Sequence, residues 1–88
     1  MYGFVYILKS EKNGRYYIGS TKNVEQRLQK HNHGYVKSTR ATRPFKIVLV
    51  QQYPTITKAK QIEYKIKKLK RRDYIEKMIQ DGFVKMDS

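Results

Sequence analysis

The chain has no cysteine, which excludes a disulfide framework and any zinc site built on thiolates. That fits a reducing compartment, and a cytoplasmic protein is expected. No apolar run approaches the roughly 18 residues of a membrane span, and no signal-peptide pattern opens the chain, so no membrane partner is expected. Acids are scarce: seven Asp and Glu stand against twenty Lys and Arg. They are also scattered, whereas a two-metal nuclease needs clustered carboxylates. His31 and His33 fall on different faces of a predicted helix, which argues against zinc. A Gly-rich phosphate loop and a Ser-His-Asp set are both missing, and no small-molecule cofactor is implied.

What is abundant is positive charge. A formal net charge of +13 and a pI near 10.1 attract phosphate backbones through counterion release and make binding salt-dependent. Arginine and tyrosine are interleaved with the lysines, a pattern that favours nucleic acid over a merely soluble surface. DNA is the expected partner, with RNA as the alternative. Eighty-eight residues, 39% of them hydrophobic, bound a single small domain with little core to spare. Its core is expected over residues 2–80, with a short tail over 81–88.

Along the chain, Tyr2 to Lys9 is a predicted strand with apolar residues on both faces. Arg15 to Ser20 is the returning strand. A four-residue loop, Ser10 to Asn13, would set Tyr6 directly across from Tyr17; a two-residue Asn13-Gly14 turn is the other solution. Asn23 caps a helix that Gly34 stops. Val24, Arg27, Leu28 and His31 fall on one stripe of it, so the two apolar residues carry Arg27 and His31 inward. A polar, cationic loop over 34–44 precedes a third strand, Phe45 to Tyr53. Its Ile47-Val48-Leu49-Val50 run predicts the buried centre of the sheet, and Pro54 ends it. A second helix is expected from Thr57 to about Arg72, burying Ala59, Ile62, Ile66 and Leu69 with Glu63 at the stripe's edge. Asp73 and Glu76 form a capping box for a third helix, which Gly82 closes. Phe83, Val84 and Met86 would either fold back as a clip or fray. The order β-β-α-β-α-α predicts an α+β fold, a short sheet with helices packed on it.

Phosphodiester hydrolysis needs an activated water, a cation over the developing charge and relief of the leaving oxygen. One set of residues offers this. Tyr6 and Tyr17 would hold and deprotonate the water, provided that a nearby cation lowers the phenol's ordinary pKa of around 10. Arg27 is such a cation, with donors that grip phosphate oxygens. His31 would contact phosphate or pass a proton. Glu63 would hold one Mg²⁺ or Mn²⁺. Singly, each has a plainer explanation: strand tyrosines pack, a histidine favours a helix C-terminus, and Glu63 pairs with Lys67 at i,i+4. Their coincidence on facing elements is what points to chemistry.

Lined up, these residues resemble a GIY-YIG nuclease domain, most nearly the small stand-alone bacterial kind. Phe4-Val5-Tyr6 occupies the GIY position, and Tyr17-Ile18-Gly19 matches YIG after ten intervening residues. Arg27 to His31 resembles the family's arginine-to-histidine helix. Thr39-Arg40 with Arg43-Pro44 resembles its basic loop, and Glu63-Tyr64-Lys65-Ile66-Lys67 its metal-binding glutamate and basic helix. The resemblance implies a three-stranded antiparallel sheet flanked by helices, and an endonuclease that hydrolyses DNA at one divalent ion. It implies Tyr6 as general base, Tyr17 positioning water and phosphate, Arg27 stabilising the transition state, His31 assisting and Glu63 holding the metal. Gly19 would let a helix approach the strand closely. Lys37, Arg40, Arg43, Lys67, Lys70 and Arg71 are the expected nucleic-acid contacts. Nothing in the chain reads base sequence, so selectivity would come from DNA structure, weak sequence preference or a protein partner. Two rivals stand beside this reading: a non-catalytic DNA- or RNA-binding module on the same fold, and a protein-interaction domain using Tyr35 and Tyr74.

Overall fold

Residues 5–8 decide the architecture. Val5 and Ile7 point to one face of a strand and Tyr6 and Leu8 to the other, and all four are at most 1% exposed. A strand apolar on both faces must lie inside a sheet covered on both sides. In the computed structural model, which describes residues 2–37, 39–69 and 71–84, this strand, β1 (Gly3–Ser10), is flanked by β2 (Tyr16–Thr21) and β3 (Phe45–Tyr53). The sheet is antiparallel, in the order β2-β1-β3. Three helices, α1 (Val24–Asn32), α2 (Ile56–Leu69) and α3 (Arg72–Asp81), and a 3₁₀ turn at Arg40–Thr42 complete the α+β fold.

The centre of the sheet is therefore β1, not the β3 expected from its apolar run. Ile47 and Val50 of β3 are 38% and 40% exposed. An uninterrupted apolar run fits either a central strand or an edge strand beneath a helix. Here Ile47 and Val50 pair with Leu8 and Tyr6, which are buried on the α1 face, but they stand on the edge strand, to the side of the residues that face covers.

The hairpin register differs from expectation by two residues. Tyr6 pairs with Gly19, and Tyr17 with Leu8. Turn chemistry sets this. The Ser10 hydroxyl accepts from the amides of Lys12 and Asn13, Asn13 Oδ1 accepts from the Arg15 amide, and Gly14 takes φ +73°. Ser10 thereby closes the loop against Arg15, which fixes the four-residue loop one position later. Because the shift is even, Tyr6 and Tyr17 remain on one face.

That face carries α1. Asn23 caps it by accepting from the Gln26 amide at 3.0 Å, and Gly34, at φ +79°, follows its end. The opposite face carries α2 and α3, where Val5, Ile7, Ile18, Leu49, Tyr53, Ala59, Ile62, Ile66, Met78 and Val84 form the main core. Leu69 packs against it half-buried. The expected capping box of α3 is not formed. That helix begins at Arg72, one residue before Asp73, because the acids engage neighbouring guanidinium groups instead: Asp73 with Arg71 at 2.9 Å and Glu76 with Arg72 at 3.6 Å. Gly82 closes α3 in the left-handed region, φ +82°. Val84 then folds back, its amide donating to Gln51 Oε1 at 2.6 Å, while Phe83 is 48% exposed. Met86, the last residue of the expected clip, lies outside the described residues, as does Lys70.

Candidate active site

On the α1 face of the sheet, the Tyr6 side chain lies over Gly19, its cross-strand partner. A Cβ at position 19 would overlap the Tyr6 phenol. Gly19 thus makes room for Tyr6, rather than for the helix as the family resemblance implied. The Tyr6 ring is 1% exposed, and its hydroxyl meets His31 Nε2 at 3.2 Å. The His31 ring in turn stands edge-on to Tyr17, with centroids 4.8 Å apart. One turn earlier on α1, Arg27 lies close enough to Tyr6 and Tyr17 to act on both phenols, and they hold its guanidinium pKa above the ordinary value. Its Nε is buried and has no hydrogen-bond partner. The inward stripe of α1 thus brings Arg27 and His31 to the two tyrosines, as its spacing predicts.

Thr39 completes this cluster. Its hydroxyl donates to the Val36 carbonyl at 3.4 Å and lies 2.7 Å from His31 Nδ1. In the tautomer with the proton on Nδ1, the Thr39 oxygen accepts from Nδ1–H and Nε2 accepts from the Tyr6 hydroxyl. Burial, reinforced by the positive charge of Arg27, pushes His31 down from 6.5 to about 4. It is therefore neutral at pH 7. Tyr6 departs from the sequence-based expectation. Arg27 does pull its pKa down, but burial outweighs that pull and holds the phenol above its ordinary value. A protonated Tyr6 hydrogen-bonded to a neutral histidine is the resting state.

Glu63 stands on α2, on the other side of the sheet, where it meets β2. Its Oε1 accepts from the Ser20 hydroxyl, and its Oε2 pairs with Lys67 at 2.6 Å. Lys67 Nζ lies 5.9 Å from the centroid of the Tyr17 ring, which links this carboxylate to the tyrosines. The plainer i,i+4 pairing is thus present, and Lys67 is what connects Glu63 to the edge of the cluster. The Glu63 charge also contributes to raising the pKa of Tyr6.

Among the described residues no three His, Asp or Glu gather as a metal cage. A single hard cation is the group this donor set fits. Mg²⁺ is held by one or two carboxylates and keeps several waters. The Glu63 side chain is 19% exposed, and its oxygens retain acceptor capacity beyond Ser20 and Lys67. Lys67, half exposed on a flexible stem, is free to swing aside.

Of the other expected contacts, Lys37 and Arg40 are exposed near Thr39. Arg43 packs its guanidinium against Gly34, where a Cβ would overlap it. Arg71 is exposed and paired with Asp73, 4.7 Å from the centroid of the Tyr74 ring. The sequence-based reading missed Ser20 and the particular role of Thr39. Nothing local marks either, since their partners lie 43 and 8 residues away.

Comparison with known proteins places this geometry in context. A family model described as the GIY-YIG catalytic domain matches residues 2–78. A UPF0213 protein of Bacillus licheniformis is 40% identical over 83 residues, covering 90% of this chain and 84% of its own. A UPF0213 protein of Staphylococcus epidermidis is 41% identical over 80 residues, covering 90% and 95%. Among solved structures, the solution NMR structure of a UPF0213 protein from Bacillus halodurans superposes with a TM-score of 0.58 at 35% identity, covering 93% of this chain and 87% of that one. No helix among the described residues is long and apolar enough to cross a membrane.

Proposed function

The chain belongs to the GIY-YIG catalytic domain family, a nuclease superfamily, and on that premise we propose that it is a divalent-metal-dependent DNA endonuclease, selective for structure or weakly for sequence. One observation carries the proposal: Tyr6, Tyr17, Arg27 and His31 converge beneath one sheet face, and Lys67, the ion-pair partner of Glu63, lies 5.9 Å from the Tyr17 ring centroid. A core built for stability alone would not bury an arginine Nε without a partner there. An incoming phosphate oxygen supplies that partner.

In the proposed reaction Tyr17 and Arg27 orient the scissile phosphate and a water beside the Tyr6 hydroxyl. Tyr6 takes a proton from the water as it gives its own to His31 Nε2, so the high phenol pKa is no obstacle. Thr39 holds the imidazole in the tautomer that can accept. The phosphate's negative charge offsets that of Arg27 and makes His31 a better acceptor than it is in the free protein. Arg27 then faces the negative charge that develops on the equatorial oxygens of the pentacovalent phosphorus; the P–O bond opposite the entering water breaks, and the departing oxygen takes a proton from solvent. Glu63 is the residue that would hold Mg²⁺ or Mn²⁺, with Ser20 orienting the carboxylate; a bound ion would stabilise charge on the phosphate and leaving oxygens. Lys37, Arg40, Arg43, Lys67, Lys70 and Arg71 are proposed to bind the backbone, and a cytoplasmic location with a targeting partner fits this role.

A nicking assay tests the proposal. Wild-type protein with Mg²⁺ or Mn²⁺ should relax supercoiled or cut branched DNA, and both chelator and Tyr6→Phe should abolish this. Salt-sensitive binding without cutting, the same in wild type and Tyr6→Phe, would leave a basic binding module on a nuclease fold.

A further inference from the structure

A second concavity lies away from this site. It is a groove of about 670 Å³ on the outer side of α2, lined by Thr57, Lys60, Gln61, Tyr64, Lys65 and Lys68. These positions recur at helical spacing and form one stripe, turned away from the core stripe of Ala59, Ile62 and Ile66. The stripe runs about 16 Å along the helix at 1.5 Å per residue. Three of its six residues are lysines and none is acidic. Tyr64 stands at its middle, 64% exposed, with Lys68 Nζ 5.7 Å from its ring centroid.

A plain solvated helix face does not need an aromatic ring there. Basic side chains flanking an open ring are the combination that holds an unpaired nucleotide: lysines meet the phosphates, and the ring offers a stacking surface to any base. From this we infer that the outer face of α2 is a second nucleic-acid site, one that takes single-stranded nucleic acid with a base stacked on Tyr64. The inference rests on nucleic acid being the substrate proposed above, and it narrows that substrate. Tyr64 follows Glu63 by one position, about 100° around α2, so a single strand that passes Glu63 and continues over the helix meets the ring. The favoured substrate is then DNA with an unpaired arm beside the cut, and not an uninterrupted duplex.

The chain has no tryptophan, so Tyr64→Trp places a single fluorescent reporter at the exposed position. Titration with a short oligothymidylate at low salt should quench it saturably, and added salt should reverse the quenching. Tyr64→Ala should weaken oligothymidylate binding by roughly tenfold or more, read by anisotropy of labelled DNA. It should leave blunt-duplex affinity within about twofold, and Tyr64→Phe should retain wild-type binding. Oligothymidylate binding without quenching, or an equal loss for duplex in Tyr64→Ala, overturns the inference while leaving the nuclease proposal intact. Quenching by polyglutamate but not by oligothymidylate overturns it in favour of an acidic protein segment. If no DNA binds at all, both fall together.

Discussion

The two faces of the sheet are built for different purposes, although β1 contributes alternate residues to both. The face under α2 and α3 holds the main apolar cluster, with Val5, Ile7, Ala59, Ile62 and Ile66 fully buried. The face under α1 holds only Tyr6, Leu8 and Phe45, with Tyr17, Val24 and Leu28 half-buried around them. Its remaining interior is polar: His31 and Thr39 are 0% and 2% exposed. A protein this small has little apolar surface to spend twice. The contrast shows how it is divided. One side supplies the stability that lets the other bury Tyr6 and His31 and hold Arg27 and Tyr17 half-buried beside them.

The largest expected effect separates the faces on stability. Ile62→Ala or Ile66→Ala should cost about 2–5 kcal/mol, a large share of the total for a small domain. Thermal or urea unfolding measures this. Gly19→Ala comes next and acts on the other face: its Cβ must displace the Tyr6 phenol. It should abolish cutting while costing about 1–3 kcal/mol as an overpacked site. If Gly19→Ala cuts DNA normally, Tyr6 is not the group that matters. A subtler difference concerns pH. His31 titrates near 4 in the folded protein against 6.5 when free, so the unfolded chain binds more protons between those values. Stability from this group is complete above pH 6.5 and is lost as pH falls toward 4. Melting temperature should decline over that window in wild type, and less steeply in His31→Gln. The smallest effect belongs to the exposed cations. Arg71→Ala should leave melting unchanged and lower the salt dependence of DNA binding by about one unit of slope.

Much of this contrast was legible in the sequence, and its misses have physical causes. The parity that puts Tyr6 and Tyr17 on one face survives every even shift of register, so it was readable although the register was not. Choosing among turns depended on Ser10 and Asn13 side chains satisfying loop amides, which strand patterning does not report. The spacing of Val24, Arg27, Leu28 and His31 placed two polar groups inside because their helix had only one face to bury. By contrast, the exposure of Ile47 and Val50 follows from the edge position of β3 in the sheet, which their own apolar run does not report. The Thr39–His31 bond and the Ser20–Glu63 bond depend on how loops and elements dock. Sequence also overestimated Arg27 as a cation that lowers the Tyr6 pKa, because the burial opposing it is a property of the folded site.

The most direct measurement is cleavage of branched DNA by Glu63→Gln beside wild type, with Mg²⁺ and with affinity and melting temperature measured on the same samples. Glutamine keeps an acceptor for Ser20 and forfeits only the part-exposed pair with Lys67, which is worth about 0–1 kcal/mol. Cutting by the wild type, lost in a variant that still folds and binds, is the predicted result. Equal cutting by both proteins would remove Glu63 from the site and contradict the metal-dependent mechanism.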